Sequence, residues 1–452
     1  MKKEIIILGG GLAGLSAGYH LSLLNKDLIV LEESNQVGGL AKTIEYGGFR
    51  FDLGGHRFFT TNKEIEKLVQ DLLGDELLIV FRRSKIYLKD KYFDYPLNPK
   101  NIIDGLGVKE VLKAFFDFLY EKCKINRNNV EAVSLEDWVI SRFGKHLYEL
   151  FFKEYSEKVW GIPCNRISAE WISQRIQGLS WKALIKSALF KHSDNIPTLI
   201  DKFLYPSHGI GRIADKLAAN IIKAGNKINL NCKVEKIIWE GDRIKGVYVK
   251  EGEVYYYVEG EKFISTIPIT SLIKSLFPNP PDDILKITSY LKYRHLLLVV
   301  IFLNKPKCTN CTWIYFPEKE IPFGRIHEPT NWSIDMAPEK KTLIVAEYFC
   351  NEEDEIWQLS EAQLIENTII YLEKVGVIKR IEVLDGKVIR VPKAYPLFDI
   401  DYKRYYAKVI DYLSRFKNLF LAGRTGMFKY YNMDKAIESG IQAAKNLLIN
   451  KL

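Results

Sequence analysis

An apolar run from Ile5 to Leu8 breaks at Gly9-x-Gly11-x-x-Gly14, and apolar residues then recur at Leu12, Leu15, Tyr19 and Leu23. The run has the length of a buried strand, and the recurrence has the spacing of a helix. Asp27 to Leu31 predicts a second strand, ending in Glu32. Much later, ADKLAANIIKAGNKINLNCKVEKIIWEGDRIKGVYV reads as a helix followed by strands, and Leu296 to Leu303 (LLLVVIFL) has the length of a buried strand. NLFLAG closes a further strand on Gly423. A helix follows from about Met433, with Ile437, Ile441, Ala444 and Leu448 on one side. Between these segments VLKAFFDFLYEKCK is amphipathic; packing inside a helical region is the favoured reading, and contact with a membrane surface the alternative.

Strand, glycines, helix, strand and acid in this order predict a dinucleotide-binding unit. Gly9 permits the tight turn, Gly11 lets a pyrophosphate approach the backbone, and Gly14 packs helix against strand. The helix N-terminus offers its free N–H groups to the phosphates, and Glu32 stands where an acid binds a ribose hydroxyl. SNQVGGLAKT follows, with a second glycine pair and then a cation, as in flavoproteins of the amine-oxidase and glutathione-reductase type. A second GxGxxG with its own strand and acid does not occur; HGIGR (His208 to Arg212) lacks that setting. One tightly held FAD, without a separate pyridine-nucleotide domain, is therefore expected. The last strand is expected beside the first, with the C-terminal helix aimed at the flavin and favouring its anionic reduced form.

Length and composition narrow the class. A chain of 452 residues exceeds one ordinary core, so two or three domains are expected. No apolar run reaches the roughly 18 residues that span a bilayer. The lysines before Ile5 resemble the start of a signal peptide, but Glu4 and the glycines favour a structural strand, and a cytoplasmic location is expected. The net charge of +9 is spread without a basic block. It suits anionic small molecules or a lipid surface only weakly, and gives no argument for nucleic acid. Six irregularly spaced cysteines suggest reduced thiols. Cys308 and Cys311 form one CxxC without two further ligands, so no metal is expected.

Five patches then resemble, in order, the UDP-galactopyranose mutase group within the amine-oxidase and protoporphyrinogen-oxidase superfamily. GGHRFFTTNKEIEKLV resembles the glycine-rich loop whose histidine lies beside the isoalloxazine. IYLKDKYFDYPLNPKNI resembles a short hairpin with a Pro-x-Asn turn. FGKHLYELFFKEYSEKVWGIP resembles the helix whose tyrosine and tryptophan border the sugar. YLKYRHLLL resembles the strand whose arginine holds the diphosphate, and GRTGMFKYYNMDKA the flavin-contacting C-terminal segment.

The resemblance implies an α/β protein. A discontinuous Rossmann-like FAD-binding domain (1–99, 205–255, 410–452) would carry a mainly helical insert (100–204) and an antiparallel β-sheet substrate domain (256–409). It assigns FAD to Gly9, Gly11, Leu12, Ala13, Gly14, Glu32, Glu33, Gly39, Leu40, Lys42, Gly55, His56, Val234, Gly423, Arg424, Asn432 and Met433. Val234 falls where relatives contact the adenine through backbone. It assigns the substrate to Arg294 and Arg175 (diphosphate), Tyr430 (a donor to it), Tyr155 and Trp160 (aromatic walls) and His56. Phe58 and Phe59 would pack behind the loop, and Arg57 has no assigned role.

The implied reaction is redox-neutral: reduced flavin N5 attacks the anomeric carbon of a UDP-sugar-like substrate, and the ring recloses at the other size. Two departures stand out. Leu179 occupies the place of the group's second diphosphate arginine, and Asn432 that of a usual acid. An FAD-dependent oxidase or desaturase on a non-nucleotide substrate is the alternative. A non-catalytic escort protein of the same fold is the third reading, and the intact glycines, Glu32 and GRTGMFKYYNMD count against it. The oligomeric state is not legible.

Overall fold

Lys2–Leu8, Leu28–Leu31 and Lys227–Asn229 lie side by side and parallel in the computed structural model, which describes residues 2–95, 99–128, 132–170 and 201–449. Ile5, Ile6, Ile7, Leu28, Ile29 and Val30 are fully shielded, as a parallel sheet covered on both faces requires. On the other side Val254–Ser265 pairs in parallel with Lys2–Leu8. Its earlier half turns antiparallel to Arg243–Glu251, which continues to Cys232–Glu240 and Leu276–Phe277. The helices Leu12–Ser22, Arg212–Lys223 and Met433–Ile449 cover one face. The helix Tyr402–Ser414 packs on the other through Val409 and Leu413. This α/β region has the Rossmann-like architecture expected.

Two expectations need correcting. The last strand, Leu419–Leu421, pairs with Phe263 to Ser265 and not with the first strand, from which it is one strand removed. The expected boundary at 255/256 cuts through Val254–Ser265, whose parallel pairing holds it in the first sheet, and that sheet extends to Phe277.

The second sheet has seven strands, in the order Val383–Pro396, Tyr293–Leu303, Thr342–Cys350, Arg325–His327, Trp313–Tyr315, Ser84–Leu88, Lys91–Tyr95. All pairs are antiparallel except Trp313–Tyr315 with Ser84–Leu88, which are parallel, so the sheet is mixed. Tyr293–Leu303 lies between two long neighbours and is buried along its whole length. The hairpin Ser84–Leu88/Lys91–Tyr95 turns through Lys89 and Asp90 at φ 52° and 57°, the left-handed pair of a tight two-residue turn. Its expected Pro-x-Asn continuation, residues 96–98, lies outside the described residues.

The insert contains helices Pro99–Leu106, Val108–Asn128, Leu135–Phe143 and Glu154–Trp160. Ser134 and Asp137 cap the third reciprocally. A wider, π-helical turn at Tyr148–Lys153 precedes the fourth and sets Phe151, Phe152 and Tyr155 on the cavity described below. The amphipathic helix Val108–Asn128 departs from its favoured reading: its apolar stripe faces outward. Among the described residues no helix is long and apolar enough to cross a membrane.

Candidate functional site

A cavity of about 1180 Å³ runs from the strand ends of the first sheet to the inner side of the second. Single small-molecule pockets hold roughly 300–1,000 Å³, so this cavity lies just above that range and has room for an elongated ligand.

At the first-sheet end the walls are mostly backbone. Gly9 sits at φ +101°, with Thr266 where a side chain would go, and so must be glycine. Gly11 faces the cavity, bridges to Gly38, and has only Gly39 near the position of a Cβ. The helix starting at Leu12 has neither a side-chain cap nor an acid in its first turn, which leaves its N–H groups for an anion. Gly14 does not line the cavity; its missing Cβ lets the helix rest on the carbonyl of Gly9.

Glu32 is buried at the end of Leu28–Leu31. Its Oε2 accepts from Gly10 N (2.7 Å), and its Oε1 from Ser34 N (3.0 Å) and Oγ (2.6 Å). Lys42 Nζ donates to Ser34 Oγ at 2.9 Å, and burial lowers the lysine's pKa against the pull of Glu32 and Glu33. Glu33, Leu40 and Val234 line the same end, Val234 at a bulge in its strand. This backbone cradle, acid and open helix terminus fit the adenosine diphosphate half of FAD.

In mid-cavity lies the loop GGHRFF. Asp52 anchors it from behind, accepting from Thr43 Oγ1 (2.6 Å), Tyr205 Oη (2.7 Å) and Ile210 N (3.1 Å); burial still raises its pKa to about 6. Gly55 N donates to Glu347 Oε1 at 3.1 Å, and the Trp313 indole nitrogen occupies the place of a Gly55 Cβ. His56 lines the cavity with Nδ1 buried and unpaired; burial first, then Arg424, lowers its pKa to about 3, so it is a neutral imidazole. Phe58 packs behind the loop as expected, whereas Phe59 lines the cavity. Arg57 lines it too, 5.8 Å from the Trp313 ring.

Glu347 belongs to a buried cluster that sequence reasoning missed. Arg325 Nη2 lies 2.6 Å from its Oε2, and His327 Nδ1 3.2 Å from its Oε1. Burial opposes the charge, but Arg325 and His327 outweigh it and hold the carboxyl down at about 2. Two signals were available: an acid inside the apolar strand LIVAEYFC, and the alternation of a cation and an imidazole in RIH.

At the far end Arg424 donates from Nε to Tyr431 O (2.7 Å), and its guanidinium lies 5.3 Å from the Tyr395 ring and 5.1 Å from that of Tyr430. Tyr395 stacks on Tyr430 at 6.1 Å, and Trp160 stands 6.4 and 6.3 Å from the two. Tyr155 meets Tyr315 edge-on at 5.7 Å. Gly423, Asn432 and Met433 complete the lining where the last helix begins. Tyr395, Tyr315 and Arg82 also line the cavity and were not foreseen; they come from unrelated segments, with no shared motif.

Arg294 departs from expectation. Only 3% exposed, it does not line the cavity. Its Nε donates to Val159 O (3.0 Å), and its Nη2 to Lys158 O (3.1 Å) and Phe349 O (2.7 Å). The strand carrying it is wholly buried, so the guanidinium satisfies the last carbonyls of the helix Glu154–Trp160 and lies where a Gly161 side chain would be. It fixes the helix that bears Tyr155 and Trp160. Arg175 and Leu179 lie outside the described residues.

Some of the comparisons with known proteins run almost end to end, and others cover little more than half of the chain. A family model described as flavin containing amine oxidoreductase matches residues 12–448. The UDP-galactopyranose mutase of Mycoplasma pneumoniae is 20% identical over 99% of this chain and 96% of its own length. A coproporphyrinogen III oxidase of Staphylococcus aureus is 24% identical over 57% of this chain, which spans 59% of that relative. Among solved structures, a reduced UDP-galactopyranose mutase superposes with a TM-score of 0.85 at 20% identity, covering 99% of this chain and 94% of that one. A putrescine oxidase bound to putrescine gives 0.64 at 17% identity, covering 99% of each.

Proposed function

This chain belongs to the flavin-containing amine oxidoreductase family, and from that premise we propose that it is an FAD-dependent enzyme acting on an anionic, nucleotide-sugar-like substrate. In this reading Gly9, Gly11, Leu12, Ala13, Glu32, Glu33, Gly39, Leu40, Lys42 and Val234 hold the adenosine diphosphate half of FAD. Gly55, His56, Gly423, Arg424, Asn432 and Met433 surround its ring, and Gly14 supports the cradle from behind. When bound and reduced, the flavin supplies an electron-rich nucleophile.

One observation carries the substrate class. Among the described residues the carboxylates lining the cavity are Glu32, Glu33 and Glu235, all beside strands of the first sheet. The other end is lined by Arg57, Arg82 and Arg424, and by Arg325 already paired with the buried Glu347, with Tyr95, Tyr155, Trp160, Tyr315, Tyr395 and Tyr430. Guanidinium groups grip phosphate oxygens in two places, and tyrosine and tryptophan faces receive a sugar or base. Such a wall disfavours an amine cation and is too charged for a carotenoid. Neutral His56 can accept or donate one hydrogen bond near the reacting atoms, and the buried Arg325–Glu347 pair keeps its loop in place.

The redox-neutral mutase reaction is the favoured form. The alternative, an FAD-dependent oxidoreductase on a non-nucleotide anion, draws support from Arg294, whose commitment to three carbonyls leaves the diphosphate without its expected arginine. Anaerobic incubation with a panel of UDP-sugars and other nucleotide sugars, flavin oxidised in one arm and reduced in the other, separates the two. An isomer of unchanged mass formed only in the reduced arm supports the mutase. Flavin binding without any isomer, together with bleaching of oxidised flavin by a non-nucleotide anion such as a porphyrinogen, replaces it with the oxidoreductase.

A further inference from the structure

The helix Val108–Asn128 is mounted with its charged side inward. Glu110 accepts from His146 Nε2 at 2.7 Å, Asp117 accepts from His146 N at 2.8 Å, and Glu121 is buried. The opposite side carries Val108, Leu112, Phe116 and Tyr120, which are 57%, 50%, 64% and 67% exposed, with Phe115 and Leu119 beside them. Four-residue spacing aligns these side chains in one stripe. At about 100° per residue, Lys109 and Lys113 fall along one edge of the stripe and Lys122 along the other, while all three acids fall opposite. The three lysines are exposed.

A helix inside a globular protein buries its apolar stripe, because tertiary packing of that stripe supplies most of its stability. A contiguous exposed apolar patch rimmed by polar groups marks an interaction surface. The charge around this one selects the occupant. Lysines at both margins and acids only on the far side suit a surface that is apolar beneath and negative above. A two-fold copy of the chain would bring the same lysine margins towards each other. We propose that this face seats the protein on an anionic lipid surface, with Leu112, Phe116 and Tyr120 entering the acyl boundary and Lys109, Lys113 and Lys122 at the headgroups. The inference is independent of the reaction catalysed.

The full chain would be floated with vesicles of phosphatidylcholine alone and of an equal mixture of phosphatidylcholine and phosphatidylglycerol. Partitioning should be about a hundredfold stronger into the mixed vesicles, at about fivefold for each lysine, and the preference should fade as salt rises. Lys109→Gln/Lys113→Gln/Lys122→Gln should remove that preference. Leu112→Ser/Phe116→Ser should abolish binding with the melting temperature unchanged, since both positions are exposed. Equal or absent partitioning into the two vesicle types overturns the proposal, and so does undiminished binding by the serine variant. A wild-type dimer that becomes monomeric in the serine variant also overturns it, by giving the face to a second copy.

Discussion

The two ends of the cavity are built from different materials. At the first-sheet end, glycines at 9, 11 and 39 and a helix terminus present main chain, and one acid, Glu32, ties the turns together. At the second-sheet end the walls are side chains from at least five separated segments: Arg57, Tyr155, Arg325, Tyr395 and Arg424. Main-chain sites need particular backbone angles, so they demand glycine at fixed spacing. Side-chain sites need only that distant strands bring the right groups together, and their chemistry can change while the fold stays. A mutase and a putrescine oxidase share this fold at 20% and 17% identity.

The ends meet at Glu347, and its removal is the harshest test of their separation. Glu347→Leu would leave Arg325 buried without a partner and Gly55 N without its acceptor. The expected loss is about 3–5 kcal/mol in a denaturant titration, with much of it recovered in Arg325→Met/Glu347→Leu. A loss under about 1 kcal/mol would mean that the pair is not buried as described.

Asp52 gives the next largest effect. Its folded pKa is raised from the ordinary 3.8 to about 6, chiefly by burial. Below pH 3.8 the carboxyl is protonated in both states. Between there and about 6 the unfolded chain gives up its proton first, so this group's contribution to stability falls as pH rises, by about 3 kcal/mol in all. His56, lowered to about 3, works in the opposite sense over an overlapping range. The informative quantity is therefore the stability of Asp52→Asn minus that of the wild type. It should rise from pH 4 to 6 and then level off; a flat difference would remove the buried-carboxyl account.

How much was legible follows the same division. The Gly9–Gly14 spacing and Glu32 were legible as a tight turn, a helix start and an acid at a strand end, because a steric rule links residue type to backbone there, whereas the strand at 419–421 was legible as a strand but not its neighbour. GGHRFF was legible as a loop, but Glu347 and Trp313, which hold it, lie more than 250 residues away and share no spacing with it. Arg294 shows the converse limit: a familiar motif identified the residue, but only the packing of a buried strand against a helix end reveals that its Nε and Nη2 are taken by carbonyls, with Nη1 turned towards Asp354. The helix at Val108 was legible as amphipathic, whereas its direction of mounting depends on His146, which no local pattern connects to Glu110.

Smaller effects should separate the two ends directly. Glu32→Ala removes the acceptor for Gly10 N and Ser34, and a proposed acceptor for a ribose hydroxyl. Flavin should be retained about ten- to a hundredfold less tightly, read from flavin release on dilution, and the arginine end should keep its affinity for UDP once flavin is supplied in excess.

Tyr155→Phe is the mildest change and the sharpest discriminator. It removes only the hydroxyl and keeps the ring that meets Tyr315 edge-on. A hydroxyl that contacts substrate contributes roughly 0.5–1.5 kcal/mol, which predicts KM raised about two- to tenfold with flavin content and melting temperature unchanged. A fall in flavin content instead would show that Tyr155 supports the cofactor, and would make the two ends of the cavity one interdependent site.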